Sequence, residues 1–144
     1  MKTLRLLTLA MLFCLLSIAF AQPPKTKPSA VMIARGKYLV EDVAKCGDCH
    51  SPMNQHGEPI KGKWLHGATL PFKPAVPMPV WAPIAPPIAG LPGWHDDDAV
   101  QLLMTGKSKT GKVGRPPMPQ FHFSRQDAIA VVSYLKSLKT SPAK

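Results

Sequence analysis

Acid is scarce in this chain: eight Asp and Glu face eighteen Lys and Arg in 144 residues, a net charge of +10. Cysteine is scarcer, with three in all, and Cys14 falls in an N-terminal apolar stretch. The other two lie within one pentapeptide, so no structural disulfide is available to the rest of the chain. Long hydrophobic runs are also lacking. The stretch from Leu6 to Phe20 is fifteen residues, short of the ~20 that span a bilayer. No internal repeat and no convincing strand alternation is present, which argues against a solenoid or an all-β domain. Basic residues do not interleave with aromatics, and no nucleic-acid-binding motif occurs, so nucleic acid is disfavoured as a partner.

What is present begins at the N-terminus. Lys2 and Arg5 precede Leu6–Phe20, and Ala19-Phe20-Ala21 stands before Gln22. That is a charged region, an apolar region and a small-residue cleavage site, so residues 1–21 read as a cleavable export signal rather than a membrane anchor. Phe13 before Cys14 is too large for lipoprotein processing, so lipidation is set aside. Residues 22–28 form a Pro- and Lys-rich leader, residues 29–139 a single domain, and residues 140–144 a tail. Setting Lys2 and Arg5 aside leaves sixteen basic residues against eight acidic ones, +8. Such a surface suits an acidic partner protein or an anionic membrane surface.

Cys46-Gly47-Asp48-Cys49-His50 is the most informative segment. On one helical turn, cysteines three apart face the same way and a histidine four after the first shares that face. CxxCH therefore reads as a covalent c-type haem attachment site: two thioethers to one porphyrin edge, with His50 as proximal iron ligand. Two other readings compete. A thioredoxin-like dithiol lacks its usual Trp-Cys-Gly-Pro surroundings and a βαβ pattern. A zinc site lacks a second Cys pair and would need scattered histidines.

Around this segment the pattern is helical. A first helix is expected from Ser29, as N-cap, to about Ala44, with Val31, Ala34, Leu39 and Val43 forming an apolar stripe beside Ile33 and Tyr38. Gly36 within it costs helix stability and points to a close approach by another element. Residues 71–92 hold eight prolines in twenty-two residues, which excludes regular helix or central strand. Their large apolar side chains suit wrapping a flat apolar cofactor better than a disordered linker. A second helix is capped by His95 or Asp96, carries Asp97 and Asp98 at its positive end, and stops at Gly106. The last opens at Ser124, with Asp127 completing a capping box, and buries Ala128, Val131, Val132, Leu135 and Leu138.

In this order of elements the chain resembles the class I monohaem cytochromes c over essentially all of residues 29–139. Beyond CxxCH, Gly36 and Tyr134 resemble the family's Gly/aromatic contact between the terminal helices. Ala85-Pro86-Pro87-Ile88-Ala89-Gly90 is similar to its G-P-x-L-x-G loop, with Ala for the first Gly. Arg115-Pro116-Pro117-Met118-Pro119 resembles its ligand-methionine segment. The resemblance implies an all-α fold of three main helices plus a long Pro-rich haem-wrapping loop. It also implies that the Pro86 carbonyl accepts the Nδ1 hydrogen of His50. The loop between His50 and Pro86 is longer than in compact members, and Trp64, Trp81, Trp94 and Arg115 are only candidates to hold the haem propionates.

The sixth iron ligand is weighed separately. Met53 lies too close to His50 to leave the proximal side, Met104 fits a helix core, and Met78 sits in the proline loop. Met118, between two prolines and shortly before the final helix, is the expected ligand; His122, then His56, His66 and His95, are weaker alternatives. His50 and Met118 together leave the iron no open position. The expected function is one-electron transfer by a single haem c, not enzymatic catalysis, with no small-molecule substrate. Lys45, Lys61, Lys63, Lys107, Lys109 and Lys112 would steer acidic redox partners, including membrane respiratory complexes. The alternatives are a haem enzyme or gas sensor with an open distal site, a cytochrome subunit of a larger dehydrogenase or oxidase, and a haem-free CxxC redox protein.

Overall fold

The computed structural model describes residues 27–139; the expected export signal, most of the expected leader and the tail lie outside the described residues. Ser29 opens α1 (Ala30–Tyr38), its hydroxyl accepting the Met32 N–H at 3.2 Å. The helix then widens into a π-helical turn, Leu39–Val43, closed by the Ala44 N–H on the Leu39 carbonyl at 2.8 Å. One extra residue per turn rotates everything after it by about 100°. Val40, four residues after buried Gly36 and so on the same face, is completely buried, while Val43 at the end of the wider turn faces solvent. This corrects the expected stripe: Val31 is 79% exposed, Ala34 and Tyr38 are also outside, and the buried positions are Gly36, Leu39 and Val40.

Helix α2 (Cys46–His50) is one short turn that starts after Lys45, whose left-handed backbone (φ 52°) redirects the chain. Helix α3 (Asp96–Thr105) follows His95 as N-cap and ends at Gly106, where φ 76° suits a residue without Cβ. Helix α4 (Arg125–Ser137) is capped by the Ser124 hydroxyl, which accepts the Asp127 N–H at 3.1 Å. The Asp127 carboxylate does not simply complete a capping box; it pairs with Arg35 Nε of α1 at 2.9 Å. That bond is the main reason its acid strength is held above the ordinary value for Asp.

Helices α1 and α4 pack backbone to backbone. A Cβ added to Gly36 would sit 2.0 Å from the Ala130 carbonyl oxygen and 2.7 Å from Tyr134 Cβ. Only glycine allows that approach. The core gathers Leu39 and Val40, α3 residues Ala99 and Val100, and the inner face of α4.

The proline-rich segment is pinned rather than free. Its one ladder is β1 (Ala68–Thr69) antiparallel to β2 (Ile84–Ala85), with Ala68 opposite Ala85. Two-residue strands leave no alternation to read, so sequence reasoning that expected no strand needs this small correction. Leu70 N–H extends the pairing to the Pro83 carbonyl, Ala82 N–H reaches Pro116, and Gly90 N–H reaches the Leu135 carbonyl on α4. No helix among the described residues is long and apolar enough to cross a membrane.

Candidate functional site

The elements converge on a cavity of about 420 Å³. Its walls are mostly aliphatic: Leu70 and Ile84 from the loop, Leu102 from α3, and Val131, Val132 and Leu135 from α4. Cys46, Cys49, His50, Pro86 and Met118 all line it. The α2 turn presents the first three, because one helical turn puts positions i, i+3 and i+4 on one side. Gly47 is buried on the opposite side beneath the ring of Trp64, where a Cβ would come within 2.1 Å of the indole.

His50 Nδ1 lies 2.7 Å from the Pro86 carbonyl. A carbonyl only accepts, so Nδ1 carries the proton and Nε2 keeps its lone pair. Burial lowers the His50 pKa, partly opposed by that hydrogen bond. The ring is thus held neutral, the state in which imidazole binds a metal. Burial also pushes the Cys46 thiol up to about 11 and raises Cys49. Protonated, apolar-walled thiols lack the lowered pKa of a reactive redox dithiol. Among the described residues, no three His, Cys, Asp or Glu come together to hold a metal ion, so a zinc site finds no ligand set.

The other candidate ligands lie elsewhere. Met53 stands in an isolated bridge to Pro59, Met78 lines a neighbouring groove, and Met104 packs against the core from α3. His56, His66, His95 and His122 do not line the cavity. Met118 does, in a turn closed by its N–H on the Arg115 carbonyl at 3.0 Å. The four propionate candidates separate in the same way. Trp94 and Arg115 reach the cavity, whereas Trp64 backs α2 and Trp81 lines the groove. The buried Trp81 indole N–H has no protein acceptor among the described residues, a donor that a carboxylate would satisfy. Arg115 is already engaged, donating from Nε to the Val80 carbonyl at 3.2 Å and from Nη2 to Trp81 at 2.8 Å.

Sequence reasoning missed Phe121, which lines the cavity three residues after Met118. Its signal was the Phe-His-Phe run, but Phe121 and Phe123 stack with centroids 5.3 Å apart, and spacing alone does not say which ring turns inward.

An apolar slot with two half-buried thiols, a neutral imidazole and a thioether fits a covalently held haem in every donor. Comparisons with known proteins agree. Residues 33–139 match the family described as "Cytochrome c". The fructose dehydrogenase cytochrome subunit of Gluconobacter japonicus is 34% identical over 115 residues, covering 76% of this chain and 22% of its own. The alcohol dehydrogenase (quinone) cytochrome c subunit of Gluconobacter oxydans is 32% identical over 120 residues, 76% of this chain and 24% of its own. A diheme cytochrome c-type protein of Cereibacter sphaeroides is 30% identical over 108 residues, covering 71% and 34%. The chain thus spans about a quarter to a third of the length of these relatives. Fold, cavity and family match agree, and the chain belongs to the class I cytochrome c family, whose haem c is attached through the CxxCH motif found here at Cys46–His50.

Proposed function

We propose that this chain is a one-electron carrier that would hold a single haem c through Cys46 and Cys49, with His50 and Met118 as the residues that would bind its iron. Met118 is the only methionine, and His50 the only histidine, that lines the cavity among the described residues, and this observation carries the reading. When bound, the haem supplies a one-electron iron couple. The residues around it do the rest. Pro86 fixes the His50 tautomer so that Nε2 is the free nitrogen. Pro117 and Pro119 stiffen the backbone that presents the Met118 thioether. A soft sulfur donor and an aliphatic lining both disfavour the more positive oxidation state, which raises the reduction potential. The mostly aliphatic walls leave few polar groups to rearrange when the charge changes.

The names of the relatives, cytochrome subunits of dehydrogenases, favour a dehydrogenase as the source of electrons. An exported site of action rests on residues 1–21, with the mature chain starting at Gln22. The deciding experiment is Met118→Ala in the purified haem protein. The weak red-edge sulfur-to-iron absorbance should vanish, the potential should fall, and the ferrous protein should gain carbon monoxide binding that the parent lacks. A parent that already binds carbon monoxide tightly would establish an open distal site and an enzyme or sensor instead.

A further inference from the structure

The hydrogen bond between His50 and Pro86 joins residues thirty-six positions apart, and nothing in either of them fixes the gap they must close. A third segment, 64–68, holds both. Towards His50, the Gly67 N–H donates to the His50 carbonyl at 2.8 Å, and the Leu65 N–H donates to Oγ of Ser51, the next residue, at 2.9 Å. Towards Pro86, the Leu65 carbonyl accepts the Ile88 and Ala89 N–H groups at 2.9 and 3.1 Å, and Ala68 pairs with Ala85 in the β1–β2 ladder. The fit has no slack. A Cβ added to Gly67 would lie 3.0 Å from the Ala85 carbonyl oxygen and 3.1 Å from the Pro86 carbonyl carbon. Leu65 and Ser51 are 0% and 1% exposed. Leu65 also stands in the left-handed region (φ 58°), where a leucine stays only if its surroundings hold it there. Neither residue lines the cavity.

We propose that segment 64–68 is a strut that sets how strongly His50 Nδ1 donates to Pro86, with Ser51 and Leu65 as positioning residues for the iron couple. The inference rests on His50 as an iron ligand and goes beyond it, since it assigns a role to residues outside the cavity. A firmer Nδ1–H···O bond gives the imidazole more anionic character and makes Nε2 the stronger donor, which favours Fe(III). Loosening the strut therefore favours Fe(II) and raises the reduction potential. Of the strut's hydrogen bonds given above, only the one to Ser51 ends on a side chain. It can be removed without touching His50, Pro86 or either cysteine, and its loss leaves the buried Leu65 N–H without its partner.

The test uses the haem-loaded protein and Ser51→Ala. Two controls accompany it: Ser51→Thr, which keeps the hydroxyl, and Ser124→Ala, which weakens only the cap of α4. At a fixed applied potential, the Fe(III)/Fe(II) ratio of Ser51→Ala should move about threefold towards Fe(II). Its His50 Nδ1 proton should exchange with solvent about tenfold faster. Ser51→Thr should restore both values, whereas Ser124→Ala should lower the denaturation midpoint and move neither. Gly67→Ala, which forces the strut and Pro86 apart from the other end, should shift both in the same direction as Ser51→Ala. In the parent, where no variant has to fold, the Leu65 and Gly67 amides and the His50 Nδ1 proton should lose protection with one shared dependence on denaturant. A ratio unmoved in Ser51→Ala, or moved as far by Ser124→Ala, overturns the strut, as does an Nδ1 proton that opens independently of the Leu65 amide. A parent whose iron carries no imidazole, read from its paramagnetically shifted ring protons, would instead bring down the His50 ligation itself.

Discussion

At the residue scale, Gly36 and Tyr134 are two sides of one contact. Gly36→Ala places a methyl group against the Ala130 carbonyl and should cost on the order of 2–3 kcal/mol, read as a lower denaturation midpoint. Tyr134 donates to Glu41 Oε1 and is pushed up to about 12, first by burial and then by that carboxylate, with the Trp64 indole partly offsetting the rise. A raised folded pKa favours the neutral phenol, so its stabilisation is full below pH ~10 and is lost as pH rises towards 12. Denaturation followed across that window should show the parent losing stability relative to Tyr134→Phe. This contact was legible in the sequence, because a glycine inside a helix needs a reason and the family supplies one. The outward turn of Val43 was not, because nothing in Leu-Val-Glu-Asp-Val marks a π-helical turn.

At the scale of elements, the caps were the most legible feature, because a cap is settled by the chain within four residues. Ser124→Ala should destabilise the fold by about 1 kcal/mol through the start of α4. The proline-rich segment was legible only by what it could not be. Its actual path depends on partners far away in sequence: the Pro116 carbonyl for Ala82, and the Arg115 guanidinium for Val80 and Trp81. Propionate candidates were scattered for the same reason, since which tryptophan turns to the cavity is decided by those long-range bonds. Arg115→Met keeps the aliphatic stem and removes both donors. Amide exchange around residues 80–82 should then quicken about tenfold, the equivalent of ~1.4 kcal/mol, while α1 and α4 exchange as before.

For the whole molecule, the cavity is the centre of the core rather than an addition to it, since Val131, Val132 and Leu135 of α4 are at once core and cavity wall. Changing both Cys46 and Cys49 to Ser should therefore abolish haem that survives acid–acetone extraction. It should also leave a chain with weak near-ultraviolet circular dichroism and rapid proteolysis. Retention of covalent haem would contradict the attachment at these cysteines. The placement of α4 carries one more consequence, in the order of assembly. The attachment turn is complete at His50, yet the wall that closes over it begins only at Arg125. During synthesis the thiols are made long before the helix that shuts them in, and α4 acts as a latch on a door that must be loaded first. A chain stopped before Ser124 would still offer its two thiols to the cofactor but could not close around it.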